Sequence, residues 1–196
     1  MINEVKIDNG TQFRKPLFME IKEFIEHMNS GMHVTTGTEL HDCMCELAAE
    51  AQKITSEINC GYRTQEELRE LFSRLIGKEV DENFRLFPPV YSDCGKNITV
   101  GKGVFINSCC CFQDQGGITI GDGTLIGHNV VFATLNHSFE PSKRGDIRPK
   151  SIVIGKRVWI GAHATIFKGC ELFFMNKRFD KMSCGDGIGI GCVYLK

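Results

Sequence analysis

The apolar residues of this chain change their spacing near residue 90. Over residues 17–77 they recur with the 3.6-residue spacing of amphipathic helices. Leu17, Phe18, Ile21, Phe24, Ile25 and Met28 fall on one helical face, and Gly31 offers a stop. Leu40, Met44, Leu47, Ala48, Ala51, Ile54 and Ile58 form a second stripe, with a capping box read from Thr36 to Glu39 ahead of it. Leu68, Leu71, Phe72, Leu75 and Ile76 form a third, preceded by a Thr64-to-Glu67 capping pattern and closed by Gly77. Three helices are predicted. Pro88-Pro89 forbids a continuing helix and marks the boundary.

From Val90 the pattern is neither helical nor a simple alternation. Aliphatic residues are followed directly by glycine at Val100-Gly101, Ile120-Gly121, Ile126-Gly127, Ile154-Gly155 and Ile160-Gly161. The apolar position falls at 100, 106 and 112, then at 120, 126 and 132, then at 154, 160, 166 and 172. The step within each group is six residues; a two-residue insertion separates the first two groups and a loop separates the last. That period marks a parallel β-helix, in which each hexapeptide forms one side of a triangular prism and its aliphatic residue points inward. A single coil cannot bury its own apolar face, so stacked coils share one core. The expected organisation is a helical region at 1–89, a β-helix at 90–172 interrupted by a loop at 133–151, and an atypical tail at 173–196.

Composition narrows the function classes. Of 196 residues, 42% are hydrophobic and 24% charged, and the formal net charge is −1. No global basic field favours nucleic acid or an anionic membrane, and neither is expected as a partner. No stretch approaches the roughly 20 apolar residues of a membrane span, and the N-terminus does not read as a signal peptide. The ten cysteines include no CxxC pair. They read as reduced, mostly buried thiols of a cytoplasmic protein, with no metal expected.

Four segments carry a family resemblance: Phe87-Pro88-Pro89-Val90-Tyr91-Ser92-Asp93-Cys94-Gly95, Val104-Phe105-Ile106-Asn107, Ala133-Thr134-Leu135-Asn136-His137 and Val158-Trp159-Ile160-Gly161-Ala162. In this order, inside the repeat, they resemble the hexapeptide-repeat acyltransferases, and within them the galactoside and maltose O-acetyltransferases. The resemblance implies a mainly β fold, a left-handed parallel β-helix with an N-terminal helical cap. It implies transfer of an acetyl group from acetyl-coenzyme A to a hydroxyl of a sugar or similar small acceptor. It also implies a homotrimer with each active site in a cleft between neighbouring β-helices. His137 matches the catalytic histidine, Asp93 and Asn107 match acceptor positions, and Trp159 matches an aromatic bordering the cleft. Gly161 and Ala162 match the backbone along which the pantetheine arm lies.

The same residues carry a chemical reading. An alcohol needs a base as it attacks a thioester, and an unperturbed imidazole titrates at about 6.5. His137 lies in the interrupting loop, where a rigid scaffold tends to present catalytic groups. A carbonyl under attack needs a donor, which a backbone N–H or the Asn107 amide could supply; Asn107 could instead bridge a coil corner. Asp93 reads as an acceptor contact or a turn cap. Asp114 and Gln115, in the two-residue insertion, read as acceptor contacts or turn chemistry. Lys143, Arg144, Arg148, Lys150, Lys156 and Arg157 read as a cationic cluster suited to the coenzyme phosphates, with Lys156 taken as a coenzyme contact. Two rival functions are set beside this one: a catalytically inactive trimer acting as a binding scaffold, and a hydratase of the carbonic anhydrase type with a metal held by His128, His137 and His163. The scaffold reading draws on the tail, where the six-residue phase stops after Leu172 although family members continue with further coils that help bind the coenzyme.

Overall fold

The structure, a computed structural model, describes residues 19–173 and the backbone of two short strands at 182–183 and 193–195. Three helices come first: α1 (Ile21–Ser30), α2 (Glu39–Asn59) and α3 (Gln65–Ile76). The expected α1 face is partly borne out, with Phe24 and Met28 buried and Gly31 closing the helix at φ 76°; Leu17 and Phe18 lie outside the described residues. The α3 capping box forms as read, Thr64 and Glu67 each bonding the other's backbone N–H. The α2 cap does not. Thr38, not Thr36, is the N-cap, its hydroxyl accepting from the His41 N–H at 3.4 Å. Thr36 is drawn away to donate to the Gly145 carbonyl at 2.9 Å.

The strands follow in chain order as β1 (Arg85–Leu86), β2 (Val90–Ser92), β3 (Ile98–Val100), β4 (Phe105–Ile106), β5 (Cys110–Gln113), β6 (Ile118–Ile120), β7 (Leu125–Ile126), β8 (Val131–Ala133), β9 (Leu135–His137), β10 (Ile147–Pro149), β11 (Ile152–Ile154), β12 (Val158–Ile160), β13 (Thr165–Phe167), β14 (Glu171–Leu172), β15 (Met182–Ser183) and β16 (Val193–Leu195). They sort into three parallel faces: β1-β4-β7-β12, β2-β5-β8-β13 and β3-β6-β11-β14. The chain visits the faces in rotation, which makes a three-sided parallel β-helix. The register reports the length of each coil. Val153 pairs with Glu171, 18 residues on, or three hexapeptides. Val90 pairs with Cys110, 20 residues on, which is one coil plus the two-residue insertion. Val131 pairs with Thr165, 34 residues on, because the loop intervenes. The first rung begins at Arg85, ahead of the two prolines, so the β-helix starts five residues before the boundary read from Val90.

Inward residues stack in columns: Leu86, Ile106, Ile126 and Ile160 on the first face are all fully buried. On the second face the Phe112 and Phe132 rings stack at 4.9 Å. Helix α3 closes the N-terminal end, with Leu68, Phe72, Leu75 and Ile76 in the same core and Phe72 stacked on Phe84 at 4.8 Å. At the other end β15 and β16 pair antiparallel with β14 and β12, which covers backbone edges of the last coil. A second core, containing Phe24, Met28, Val34, Leu40, Met44, Leu47 and Ile147, joins α1 and α2 to the interrupting loop. Among the described residues, no helix is long and apolar enough to cross a membrane.

Candidate active site

The prism has three edges, and the predicted site residues divide among them. At the second edge, where the chain passes from the second face to the third, lie Asp93, Asp114, Gln115 and the loop bearing His137. The loop is a β9–β10 hairpin, with His137 opposite Ile147 and Asn136 opposite Arg148. Its root is tied to the coil. The Thr134 hydroxyl donates to the Gln113 carbonyl and accepts from the Gly116 N–H at 2.9 Å, while Leu135 N–H reaches Gln113 Oε1 at 3.2 Å. Gly116 is required there, since a Cβ would stand 2.9 Å from Thr134. His137 itself is exposed.

Asp114 is fully buried. Its carboxylate accepts from Ser92 Oγ at 2.9 Å, from the N–H groups of Asp93 and Cys94 at 3.1 Å, and from the Gly95 N–H at 2.6 Å. Enclosed in this way, Asp114 holds the turn at 92–95, the turn chemistry read beside an acceptor contact for it. Burial pushes its carboxyl up to about 6, against the pull of those hydrogen bonds. The turn it holds presents Asp93, which is exposed. Partial desolvation still raises the Asp93 carboxyl from the ordinary range, opposed by a hydrogen bond from the Gln115 side chain. Gln115 is buried, and its Oε1 has no hydrogen-bond partner.

The first edge, between the first and second faces, holds the other group. Asn107 leaves β4 here, and its Oδ1 accepts from the Ser108 N–H at 2.9 Å, which leaves the amide NH₂ as the group able to donate. Gly161 and Ala162 follow β12 at the same edge two coils further on. Gly161 is buried and Ala162 exposed. Trp159, on the outer side of β12, is 40% exposed. His128 and His163 also lie here, the His163 N–H bonding the His128 carbonyl at 2.9 Å. Each of three successive coils turns this edge through one left-handed residue: Cys109 at φ 64°, Asn129 at 55° and His163 at 61°.

The cationic cluster separates. Lys143, Arg144, Arg148 and Lys150 stay with the loop at the second edge, whereas Lys156 and Arg157 turn the third edge. There the Lys156 ammonium pairs with Asp122 at 2.8 Å, on the opposite side of the three-residue strand β12 from Gly161. Among the described residues no group of three or more His, Cys, Asp and Glu side chains converges as a metal site. Among the described cysteines, Cys43, Cys94, Cys110 and Cys170 are buried, while Cys45 and Cys60 are exposed.

No family model matches the chain. Individual relatives do. A galactoside O-acetyltransferase of Escherichia coli is 31% identical over 137 residues, covering 69% of this chain and 68% of that protein. Among solved structures, a hexapeptide-repeat acetyltransferase of Vibrio cholerae complexed with acetyl-coenzyme A is 30% identical, with a TM-score of 0.66 over 76% of this chain and 80% of the other. The chain belongs to the hexapeptide-repeat acetyltransferases of the galactoside O-acetyltransferase type. A maltose O-acetyltransferase of Clostridium difficile superposes at a TM-score of 0.68, with 28% identity over 76% of this chain and 79% of that one.

In this acetyltransferase Gly161 and Ala162 give the backbone of the first edge small residues beside an outward Trp159. Gly127 keeps that backbone close-packed, since a Cβ there would lie 2.7 Å from the Ala162 nitrogen. The residues that the sequence reading missed are those that set the loop. Gln113 could have been noticed as a polar residue at the end of a coil. The Thr36–Gly145 contact spans 109 positions and has no local signature.

Proposed function

We propose that the enzyme transfers an acetyl group from acetyl-coenzyme A to a hydroxyl of a sugar or similar small acceptor, in the cytoplasm, as a homotrimer of left-handed coils. The observation that carries this reading is the division of the site. Asn107, Gly161 and Ala162 lie at the first edge with Trp159 beside it on the first face, and Asp93, Gln115 and His137 lie at the second. Between them stands the second face, whose β5 spans Cys110–Gln113, a width of about 13 Å at the usual rise per residue. One chain offers two half-sites, and a second copy that brings its first edge against this chain's second edge makes a whole one. The outward columns suit such packing. Phe105, Leu125 and Trp159 line the first face, and Tyr91, Cys111 and Val131 the second, with Leu125 47% and Tyr91 50% exposed. On the third face the column is Thr99, Thr119, Val153 and Glu171, which suits solvent. Two apolar faces and one more polar face are what each member of a closed three-fold ring requires.

In the proposed reaction the neutral imidazole of His137 takes the acceptor's hydroxyl proton as the oxygen attacks the thioester carbonyl. The carbonyl oxygen becomes an oxyanion, stabilised by the Asn107 amide or a backbone N–H. Collapse expels the coenzyme thiolate, which takes the proton from the imidazolium. The exposed Asp93 carboxylate accepts hydrogen bonds, and it favours an acceptor carrying further hydroxyls beside the reacting one. A thiol-release assay over sugars, amino sugars and simple alcohols tests this. Turnover with acetyl-coenzyme A and a polyhydroxylated acceptor is expected. No turnover with any acceptor, together with no heat of coenzyme binding in calorimetry, would turn the reading toward a scaffold.

A further inference from the structure

We infer that Ile147 is a positioning residue for His137, and that the helical region, acting through Val34 and Thr36, holds Ile147 in place. The inference rests on His137 being the base. The β9–β10 hairpin is a two-stranded ribbon, which is marginal on its own. Here it has a third row. The Val34 N–H donates to the Ile147 carbonyl and the Ile147 N–H to the Val34 carbonyl, both at 2.9 Å. His137 faces Ile147 on the other side. Residues directly opposed across antiparallel strands project to the same side. Val34, Ile147 and His137 therefore form one row, running from a fully buried valine through a nearly buried isoleucine to an exposed histidine.

The inner end of this row is set in the second core, among Phe24, Met28, Leu40 and Met44, with Leu135 packed against it. The far end of the loop is tied by the Thr36 hydroxyl to the Gly145 carbonyl at 2.9 Å. That approach is tight, since a Cβ on Gly145 would stand 2.6 Å from Thr36 Oγ1. No other element pairs with the outer strand of the hairpin among the described residues. The imidazole's placement thus depends on helices to which the proposed reaction assigns no group. A general base tolerates little displacement, because a shift of about 1 Å costs about 100-fold in rate. Loosening the row should therefore lower kcat and leave coenzyme binding at the first edge alone.

The test measures steady-state kinetics for Ile147→Ala, Ile147→Val, Thr36→Val and His137→Ala, each in the full chain and well below its own Tm. Ile147→Ala should lower kcat about 10- to 100-fold, with KM for acetyl-coenzyme A changed by less than about two-fold. Ile147→Val, which keeps the branched surface, should restore kcat to within about three-fold. Thr36→Val, at an exposed position, removes one hydrogen bond and should lower kcat about three- to ten-fold with little change in Tm. It decides the matter if Ile147→Ala does not fold. Full activity in His137→Ala would overturn the base assignment and this inference with it. An inactive His137→Ala beside wild-type kcat in Thr36→Val and in folded Ile147→Ala would leave the base standing and overturn the positioning role alone. So would a rise in KM at constant kcat.

Discussion

Asp114 shows how a residue can matter to a site without touching a ligand. Four donors converge on its carboxylate and hold the turn that presents Asp93. Replacing it with asparagine keeps the shape but turns an amide NH₂ toward backbone N–H groups, which should destabilise the fold by about 2–4 kcal/mol. The pH dependence has a definite sign. The folded-state pKa of about 6 lies above the unfolded value of 3.8, so the folded protein binds more protons between them. Stability from this group is fully present below the unfolded pKa and is lost as pH rises through the folded one, by up to about 3 kcal/mol. The difference in unfolding free energy between the native protein and Asp114→Asn should therefore narrow from pH 4 to pH 7 in urea titrations. A difference that widens over that range would mean that the hydrogen bonds outweigh burial. The insertion itself was legible in the sequence, as a two-residue break in the six-residue phase. Which of its side chains turned inward was not, because a break in the phase also breaks the rule that assigns inside and outside.

Elements of the β-helix obey that rule wherever the phase holds. In β7, Leu125 and Ile126 are adjacent, yet the first is 47% exposed and the second fully buried. Ile126→Ala opens a cavity between Ile106 and Ile160 and should cost about 2–5 kcal/mol, read as a fall in Tm. Leu125→Ala should change monomer stability by less than about 1 kcal/mol and should instead weaken self-association, read by light scattering across a dilution series. Equal losses of Tm in the two variants would contradict the alternation. Period alone also sufficed for α2, and period with its Gly77 stop for α3 and the Thr64 cap. The Thr36 cap failed for a reason outside the helix: the Thr36 hydroxyl has a partner 109 residues away, so Thr38 takes the end of α2. The third row of the hairpin, Val34 against Ile147, is a pairing of the same kind. Local pattern reports what a segment prefers; these contacts arise only when the helical region folds back onto the loop.

For the whole molecule, the assignment of residues to edges is the decisive fact. The motifs that carry the family resemblance lie close together in the sequence, yet His137 falls at the second edge and Gly161 at the first. The basic residues divide likewise, with Lys156 committed to Asp122 at the third edge. On the proposed reading a catalytic unit needs two copies, and that prediction can be tested without knowing the structure of the complex. His137→Ala and Asn107→Ala are prepared separately, each with activity reduced by about 100-fold or more. They are then unfolded, mixed in equal amounts and refolded together. If the site forms between copies, random trimers of the 22.0 kDa chain regain both intact halves in about one site in four, and activity should return to about a quarter of the native value. If mixing gives no more activity than the two variants refolded apart, the site lies within one chain and the account is wrong.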